Sequence, residues 1–127
     1  MDDFKHFSYK EFDCKSGKGK GIDNMDHYFI CLLDDAREIA GIPFRITSGY
    51  RTPEHNTAML EQGYKTSKTS SHLKGLAADI YANDPIIRYK ILTALLSVGI
   101  SRIGIANNFI HCDIDKEKPQ NLVWSYY

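Results

Sequence analysis

The sequence predicts an α+β domain in which a central antiparallel sheet is flanked by helices. Two long segments carry apolar residues at helical spacing, and short segments around them alternate apolar and polar residues as strands do. At 127 residues the chain fits a single domain, residues 1–127. This length is sufficient to bury a hydrophobic core without disulfide bonds or repeats.

The first long helix is predicted over residues 26–40, where the apolar residues recur at helical spacing. Asp23 or Asn24 is expected to cap its start, and Gly41 is expected to end it. A short strand over residues 44–47 follows and leads into a loop.

A brief helix is predicted to begin at Thr52 and Pro53, which form a cap and first-turn pair, and to end near Gly63. The polar stretch 64–71 has no hydrophobic period and is predicted to be a loop. This loop either covers a ligand site, with Ser70 as a hydrogen-bonding residue, or is a plain connector.

A strong apolar helix is predicted between Pro85 and Gly99. Beyond it, residues 101–106 and 109–114 are predicted to form a hairpin around the polar turn Asn107-Asn108. The aromatic residues near the end of the sequence are expected to pack in a last strand, with the lining of a substrate cleft as the alternative: Trp124, Tyr126 and Tyr127.

Two of the predicted strands place ionisable side chains on the face opposite the core. In the first strand, alternation turns three apolar residues to one face: Leu76, Ala78 and Ile80. The other face then carries two small residues and a carboxylate, which leaves room for an ion: Gly75, Ala77 and Asp79. In the second strand the same alternation turns Ile110, Cys112 and Ile114 inward. It turns Phe109, His111 and Asp113 outward.

His72, Asp79 and His111 offer two imidazoles and one carboxylate, which are ligands that zinc accepts. Three such ligands leave one coordination position open for water, as in catalytic zinc sites, and zinc lowers the pKa of that water towards about 7. The alternative is a hydrogen-bonded His and Asp pair without a metal. We favour metal binding because the small-residue face and the second histidine occur together.

Four blocks of the sequence match, in order, the motifs of one known family. The pattern SxHxxGxAxD is met at residues 70–79, and an HxD follows at residues 111–113. Upstream, ITSGYRTP at residues 46–53 contains the SGYR segment, and FSYKEFDC at residues 7–14 is similar to the start of small phage and bacterial members. The chain thus resembles the zinc D-alanyl-D-alanine carboxypeptidases and related murein endopeptidases.

This resemblance implies a small antiparallel sheet of the hedgehog and D-Ala-D-Ala peptidase type that holds zinc through the three ligands named above. It implies that Arg51 contacts a carboxylate or carbonyl of the substrate, with Asn56 and Ser70 as further substrate-binding residues. Arg51 is also a candidate catalytic residue, because its charge could stabilise, with the metal, the oxyanion that forms on the amide carbonyl. The implied substrate is the stem peptide of peptidoglycan, cut at D-Ala-D-Ala or, as in phage lysins, between L-Ala and D-Glu. The wider group also contains lysostaphin-type enzymes.

The sequence departs from this family at the general base. Many members place a Glu three residues before the last ligand, where this chain has Asn108, and others place a His two residues before it, where this chain has Phe109. Asp113 is the candidate base, because residues i and i+2 of a strand share a face. The equally weighted alternative is that Asp113 accepts a hydrogen bond from His111 and orients it.

Two non-enzymatic interpretations remain beside the peptidase. The loss of the Glu at Asn108 is compatible with a module that binds zinc and murein without hydrolysis, as the zinc site of the hedgehog domain suggests. The other is a metal-free structural protein of phage tails that keeps only the fold.

Composition excludes several classes of partner. Sixteen basic and sixteen acidic side chains give a formal net charge of zero, which argues against nucleic-acid and anionic-membrane partners. No apolar stretch approaches about twenty residues, and Met1-Asp2-Asp3 lacks the features of a signal peptide. Together with the resemblance to murein peptidases, this implies a protein made in the cytoplasm, encoded by a phage or prophage, and released at lysis or carried in the virion. We expect a monomer.

The cysteines, Cys14, Cys31 and Cys112, form an odd set without a CxxC motif, which argues against a disulfide framework. Cys112 follows His111 directly, but strand alternation turns its thiol toward the core. We expect a buried structural thiol at this position.

Overall fold

The computed structural model describes residues 4–126 and confirms the α+β class. The predictions for Met1-Asp2-Asp3 and Tyr127 concern residues outside this range. The α-helices are α1 (Gly21–Asn24), α2 (His27–Ala40), α3 (Pro53–Glu61) and α4 (Pro85–Ser97). The strands are β1 (Ile46–Ser48), β2 (Ala77–Tyr81), β3 (Arg102–Ile105), β4 (Phe109–Asp113) and β5 (Leu122–Ser125). Short 3-10 helices cover Tyr9–Phe12 and Ser71–Lys74.

The five strands form one sheet in the order β1-β2-β4-β3-β5. The β1/β2, β2/β4 and β4/β3 pairs are antiparallel, and β3 and β4 form the predicted hairpin around Asn107-Asn108. At the edge, β5 runs parallel to β3. Alternation predicts a last strand but not its partner, since the pairing depends on the course of the loop between β4 and β5.

The helix ends follow capping residues in the sequence. The Asp26 side chain accepts a hydrogen bond from the first turn of α2 and caps this helix. The prediction that Asp23 or Asn24 caps it is wrong, because both belong to the separate helix α1. Gly41 ends α2 in the left-handed region, with φ of 69°, as predicted. Within residues 4–126, no helix has both the length and the apolar character required to cross a bilayer.

The hydrophobic core lies between one face of the sheet and the helices α2 and α4. The helices contribute fully buried side chains to it: Phe29, Ile30, Leu33, Ile91 and Leu95. The two central strands contribute Ala78, Ile80, Ile110 and Cys112, which confirms the predicted alternation for these residues. The predicted place of Leu76 on the core face is wrong, because Leu76 precedes β2. The Cys112 thiol is buried as expected. Because Ala78, Ile80, Ile110 and Cys112 face these helices, the opposite face of the sheet carries Asp79, His111 and Asp113.

Candidate metal centre

One residue from each strand forms a row across the face of the sheet opposite the core. From one edge to the other, the strand register aligns Ser48, Asp79, His111, Gly104 and Trp124. Residues paired across strands point to the same face. The sheet therefore holds Asp79 and His111 side by side at its centre, and a glycine stands next to His111.

His72 reaches the same place from the 3-10 helix that precedes β2. The Ser70 hydroxyl accepts a hydrogen bond from the His72 main-chain N–H at 3.3 Å, and Gly75 ends the turn with φ of 71°. A Cβ at Gly75 would collide with the main-chain oxygen of Asn24. The predicted place of Gly75 on the ligand face of the strand is therefore wrong, because β2 begins only at Ala77.

The three predicted ligands converge. One ligand atom from each of His72, Asp79 and His111 lies within 4.8 Å of the other two. Asp79 Oδ1 lies 3.2 Å from His72 Nε2 and 2.9 Å from His111 Nδ1. All three side chains are buried. Side chains that are distant in the sequence thus share one small polar centre.

The outer nitrogens of the two imidazoles show which atoms remain to bind an ion. His72 Nδ1 lies 2.7 Å from the Gly49 carbonyl oxygen, which can only accept, so Nδ1 carries the proton. His111 Nε2 lies 2.7 Å from Asp113 Oδ2 and donates to this carboxylate. In the neutral rings, the inner nitrogens, His72 Nε2 and His111 Nδ1, then carry no proton, and their lone pairs face Asp79. Three acceptors this close require a shared proton or a cation, so the donor set fits a metal ion.

The electrostatics of the centre agree with this assignment. Burial lowers the pKa of His72 and keeps its ring neutral. Burial opposes the charge on Asp79, but the two imidazoles hold the pKa of this carboxylate well below its usual range. Burial also lowers the pKa of His111, yet the hydrogen bonds to Asp113 and Asp79 outweigh it and raise the pKa to about 8. Without a metal, a second proton on His111 takes the place of the cation.

Asp113 supports His111 from the side away from the centre. Its Oδ2 accepts the hydrogen bond from His111, and its Oδ1 accepts one from Arg102 Nε at 2.7 Å and one from the Asp115 N–H at 3.1 Å. Burial raises the pKa of Asp113, but His111 and Arg102 lower it overall, so the carboxylate is ionised. Asp113 is only 1% exposed. Both of its oxygens already accept hydrogen bonds, which is expected of a carboxylate that orients the His111 ring.

Arg51 is buried beside the centre. Its Nη2 lies 3.9 Å from Asp79 Oδ2 and 3.3 Å from Ser48 Oγ. Burial lowers the pKa of Arg51, and the Asp79 charge partly restores it. Its main-chain N–H donates to the His72 carbonyl at 3.1 Å, and this hydrogen bond joins the loop after β1 to the 3-10 helix that carries His72. Its Nε is buried without a partner among the described residues, so this donor is not used by the fold.

Asn56 and Ser70, both predicted to bind substrate, contact Arg51. Asn56 Oδ1 accepts hydrogen bonds from Arg51 Nη1 at 3.0 Å and from the Thr66 hydroxyl at 3.1 Å, and Asn56 Nδ2 donates to the Ser67 carbonyl at 2.9 Å. Asn56 is buried behind Arg51 and does not belong to the described residues that line the cavity. Ser70 does line it, but its hydroxyl already serves the His72 turn.

The centre opens into a cavity of about 990 Å³. One wall is formed by the loop between α3 and the 3-10 helix, which includes Lys65 and Thr66. The opposite wall is formed by aromatic side chains of β4, of β5 and of the residue that follows β5: Phe109, Trp124 and Tyr126. The predicted loop over the site is thus confirmed, and Trp124 and Tyr126 line the cleft, as the alternative interpretation of these residues expected.

Sequence reasoning missed Arg102 as a residue of this site and gave Trp124 and Tyr126 only as the alternative lining of a substrate cleft. The register pairs Arg102 with Asp113 and places Trp124 in the same row as His111. No motif marks these positions. A signal was nevertheless present, because Trp124 and Tyr126 are two residues apart and share the face of a predicted strand.

Comparison with known proteins supports this description. The fold is similar to the crystal structure of the L-Ala D-Glu endopeptidase ChiX of Serratia marcescens, with a TM-score of 0.53 and 19% sequence identity over 62% of this chain and 68% of that chain. No curated protein sequence matches the chain significantly. The sequence model described as Peptidase M15 matches residues 5–113, which include all three predicted ligands. The chain therefore belongs to the peptidase M15 family.

Proposed function

We propose that this protein is a zinc-dependent peptidase that hydrolyses the stem peptides of peptidoglycan. One observation carries the proposal: the inner lone pairs of His72 and His111 face the Asp79 carboxylate in the floor of a large cavity, with both outer ring nitrogens already used as donors. Membership of the M15 family supports peptidase chemistry. The similar fold of an L-Ala D-Glu endopeptidase supports a murein substrate.

His72, Asp79 and His111 would hold the zinc. When bound, the ion would supply a Lewis acid for the peptide carbonyl and activate a water molecule. Arg51 has the position and the charge to bind a carbonyl or carboxylate of the substrate, because its guanidinium lies against Asp79 and its Nε is not used by the fold. Burial strengthens such an interaction by excluding water from it.

We assign Asp113 an orienting role. Its carboxylate keeps the proton of His111 on Nε2, and Arg102 keeps the carboxylate in place, so Nδ1 is presented to the ion as a lone pair. As a general base, Asp113 would have to act from a buried position in which its carboxylate already accepts three hydrogen bonds.

A second candidate function is a murein-binding module that holds zinc without hydrolysis. It is favoured by the cavity lining, because Asp79 and Asp113 are the only carboxylates among the described residues that line it. Asn108, which occupies the usual position of the general base, also lines the cavity and cannot accept a proton at neutral pH.

Digestion of purified sacculi by the zinc-loaded protein, followed by mass spectrometry, tests both functions. We expect release of terminal D-Ala or separation of L-Ala from D-Glu, and the fold neighbour makes the second bond the first to examine. His111→Ala should lose zinc and activity, whereas His55→Ala, on α3 and outside the described cavity lining, should keep both.

Three results would change this assignment. A wild-type protein that holds about one zinc per chain and leaves murein intact would support the binding module. A protein that takes up no zinc would support a structural role. Asp113→Ala that keeps zinc but loses turnover completely would return Asp113 to the role of base.

A further inference from the structure

We propose that Tyr126 is a catalytic residue that donates a hydrogen bond from its hydroxyl to the carbonyl oxygen of the scissile peptide bond. This inference rests on the proposed function and adds a residue to it. Tyr126 lies beyond residues 5–113, the part of the chain that the family comparison covers. Its position in the fold, its packing and its charge state each support the assignment.

Tyr126 stands opposite Arg51 across the centre. Arg51 follows β1 and Tyr126 follows β5, and these are the two edge strands of the sheet. Both residues line the cavity, and the charge of Asp79 acts on both of them. A substrate carbonyl over the centre of the sheet would therefore lie between a donor from each edge.

The packing around Tyr126 holds its ring in this position. A Cβ on Gly104 would lie 2.6 Å from Tyr126 Cε1 and 2.7 Å from Trp124 Cε2. Gly104 is the neighbour of His111 in the sheet, so its missing side chain lets both aromatic rings lie against β3 beside the metal ligands. The Phe109 ring meets Tyr126 edge to face at 5.4 Å between centroids.

Two hydrogen bonds hold the main chain of Tyr126 in place. Its N–H donates to the Ile105 carbonyl at 3.0 Å, which extends the β3/β5 pairing by one residue. Its carbonyl oxygen accepts a hydrogen bond from Lys65 Nζ at 2.7 Å, across the cavity mouth. A donor fixed before the substrate arrives costs little reorganisation in the reaction.

The hydroxyl has the charge state that this role needs. Burial first, and the Asp79 charge second, raise the pKa of Tyr126 to about 12, although a side-chain hydrogen bond from Trp124 and the Arg51 charge oppose the rise. Tyr126 is therefore a neutral O–H donor at pH 7. Trp124 can only donate to it, so the hydroxyl proton is left for an acceptor.

Negative charge develops on the carbonyl oxygen as water adds to the peptide bond, and a hydrogen bond to that oxygen is stronger in the transition state than in the bound substrate. No proton leaves Tyr126 in this step. The expected effect of its hydroxyl is therefore on kcat, with little effect on KM.

Tyr126→Phe tests the proposal, because it removes one oxygen and keeps the ring that packs on Phe109 and Gly104. In the zinc-loaded variant we expect kcat to fall by about a hundredfold with an unchanged KM and zinc content. The matched control is Tyr89→Phe, an exposed tyrosine on the outer side of α4, which should behave as wild type. A Tyr126→Phe variant with the wild-type kcat overturns the proposal while the proposed function stands.

Binding of phosphinate analogues of the two candidate dipeptides separates the two proposals. Their tetrahedral oxygens imitate the oxyanion, and calorimetry measures their affinity even if no murein bond is cut. Affinity lowered about tenfold or more in Tyr126→Phe supports the donor role whether or not the wild type hydrolyses murein. Equal affinity in the variant and the wild type overturns it.

Discussion

His111 and Asp113 lie two residues apart on β4 and are joined at 2.7 Å through the outer nitrogen of the imidazole, Nε2. Because residues i and i+2 of a strand face the same side, the strand itself places the carboxylate beside the ring. The other ring nitrogen, Nδ1, is thereby turned to Asp79, 2.9 Å away. This pair determines which nitrogen can bind an ion.

Asp113→Asn should weaken zinc binding by about ten- to a hundredfold, because the amide no longer holds the His111 proton on Nε2 as a carboxylate does. Competition with a chromophoric chelator measures the change. Asp35→Asn, at an exposed position on α2, provides the matched control. Zinc affinity equal to wild type in Asp113→Asn would show that Asp113 does not orient His111.

The stability of the metal-free protein should fall as the pH rises from about 6.5 to above 8. The pKa of His111 is raised from the ordinary value of 6.5 to about 8 in the folded state, so its contribution is present below 6.5 and is lost as the pH passes 8. Zinc replaces the proton, so its affinity rises over the same interval. Melting curves with zinc and with a chelator should therefore separate more at pH 8.5 than at pH 6.5.

His111→Ala is the control for this pH effect. It removes the titrating group and a ligand, so the two melting curves should coincide at both pH values. A separation in the wild type that is constant with pH would mean that His111 does not hold the displaced proton.

Asn56→Ala should destabilise the protein by about 2 kcal/mol or more, because it leaves buried partners of its amide without hydrogen bonds. These partners are Arg51, Thr66 and the Ser67 carbonyl. Urea unfolding measures the loss, and Gln62→Ala, exposed near the end of the same helix, should change it little. Native stability in Asn56→Ala would favour the predicted direct contact with substrate over support of Arg51.

Alkylation of the native protein should modify Cys31 well before Cys112. Cys31 is partly exposed, whereas Cys112 has no exposed surface and burial raises the pKa of its thiol well above the ordinary value. Peptide mass spectrometry after a timed reaction with iodoacetamide gives the order. In urea both should react at similar rates, and equal rates in the native protein would contradict the placement of Cys112 in the core.

Local patterns were sufficient to predict most of the elements and the face of the sheet on which Asp79 and His111 meet. The alternation in β2 and β4 assigns Asp79 and His111 to the polar face because strand geometry has a strict period of two. The partner of β5 depends on the loop between β4 and β5, and no residue pattern encodes it. For that reason the approach of Trp124 and Tyr126 to the centre could be given only as one of two alternatives. The pairing of Arg102 with Asp113 belongs to the predicted hairpin around Asn107-Asn108, but its part in the site was missed.

The prediction that small residues make room for an ion was only partly right, because the surroundings of a glycine also depend on how distant segments pack. Gly75 was expected to make room for an ion, yet its smallness serves the contact with the Asn24 main chain. Gly104 does adjoin the ligands, but only the pairing of three strands reveals it. The role of a glycine depends on what approaches it in space.

The position of Trp124 gives the protein an optical reporter of its own. It is the single tryptophan of the chain, and its ring centroid lies 5.5 Å from that of His111. Indole emission from the whole molecule therefore originates beside the ligands, and a quenching ion such as Cu²⁺ or Co²⁺ held there would extinguish it. Occupancy of the centre can be followed by fluorescence without any attached dye.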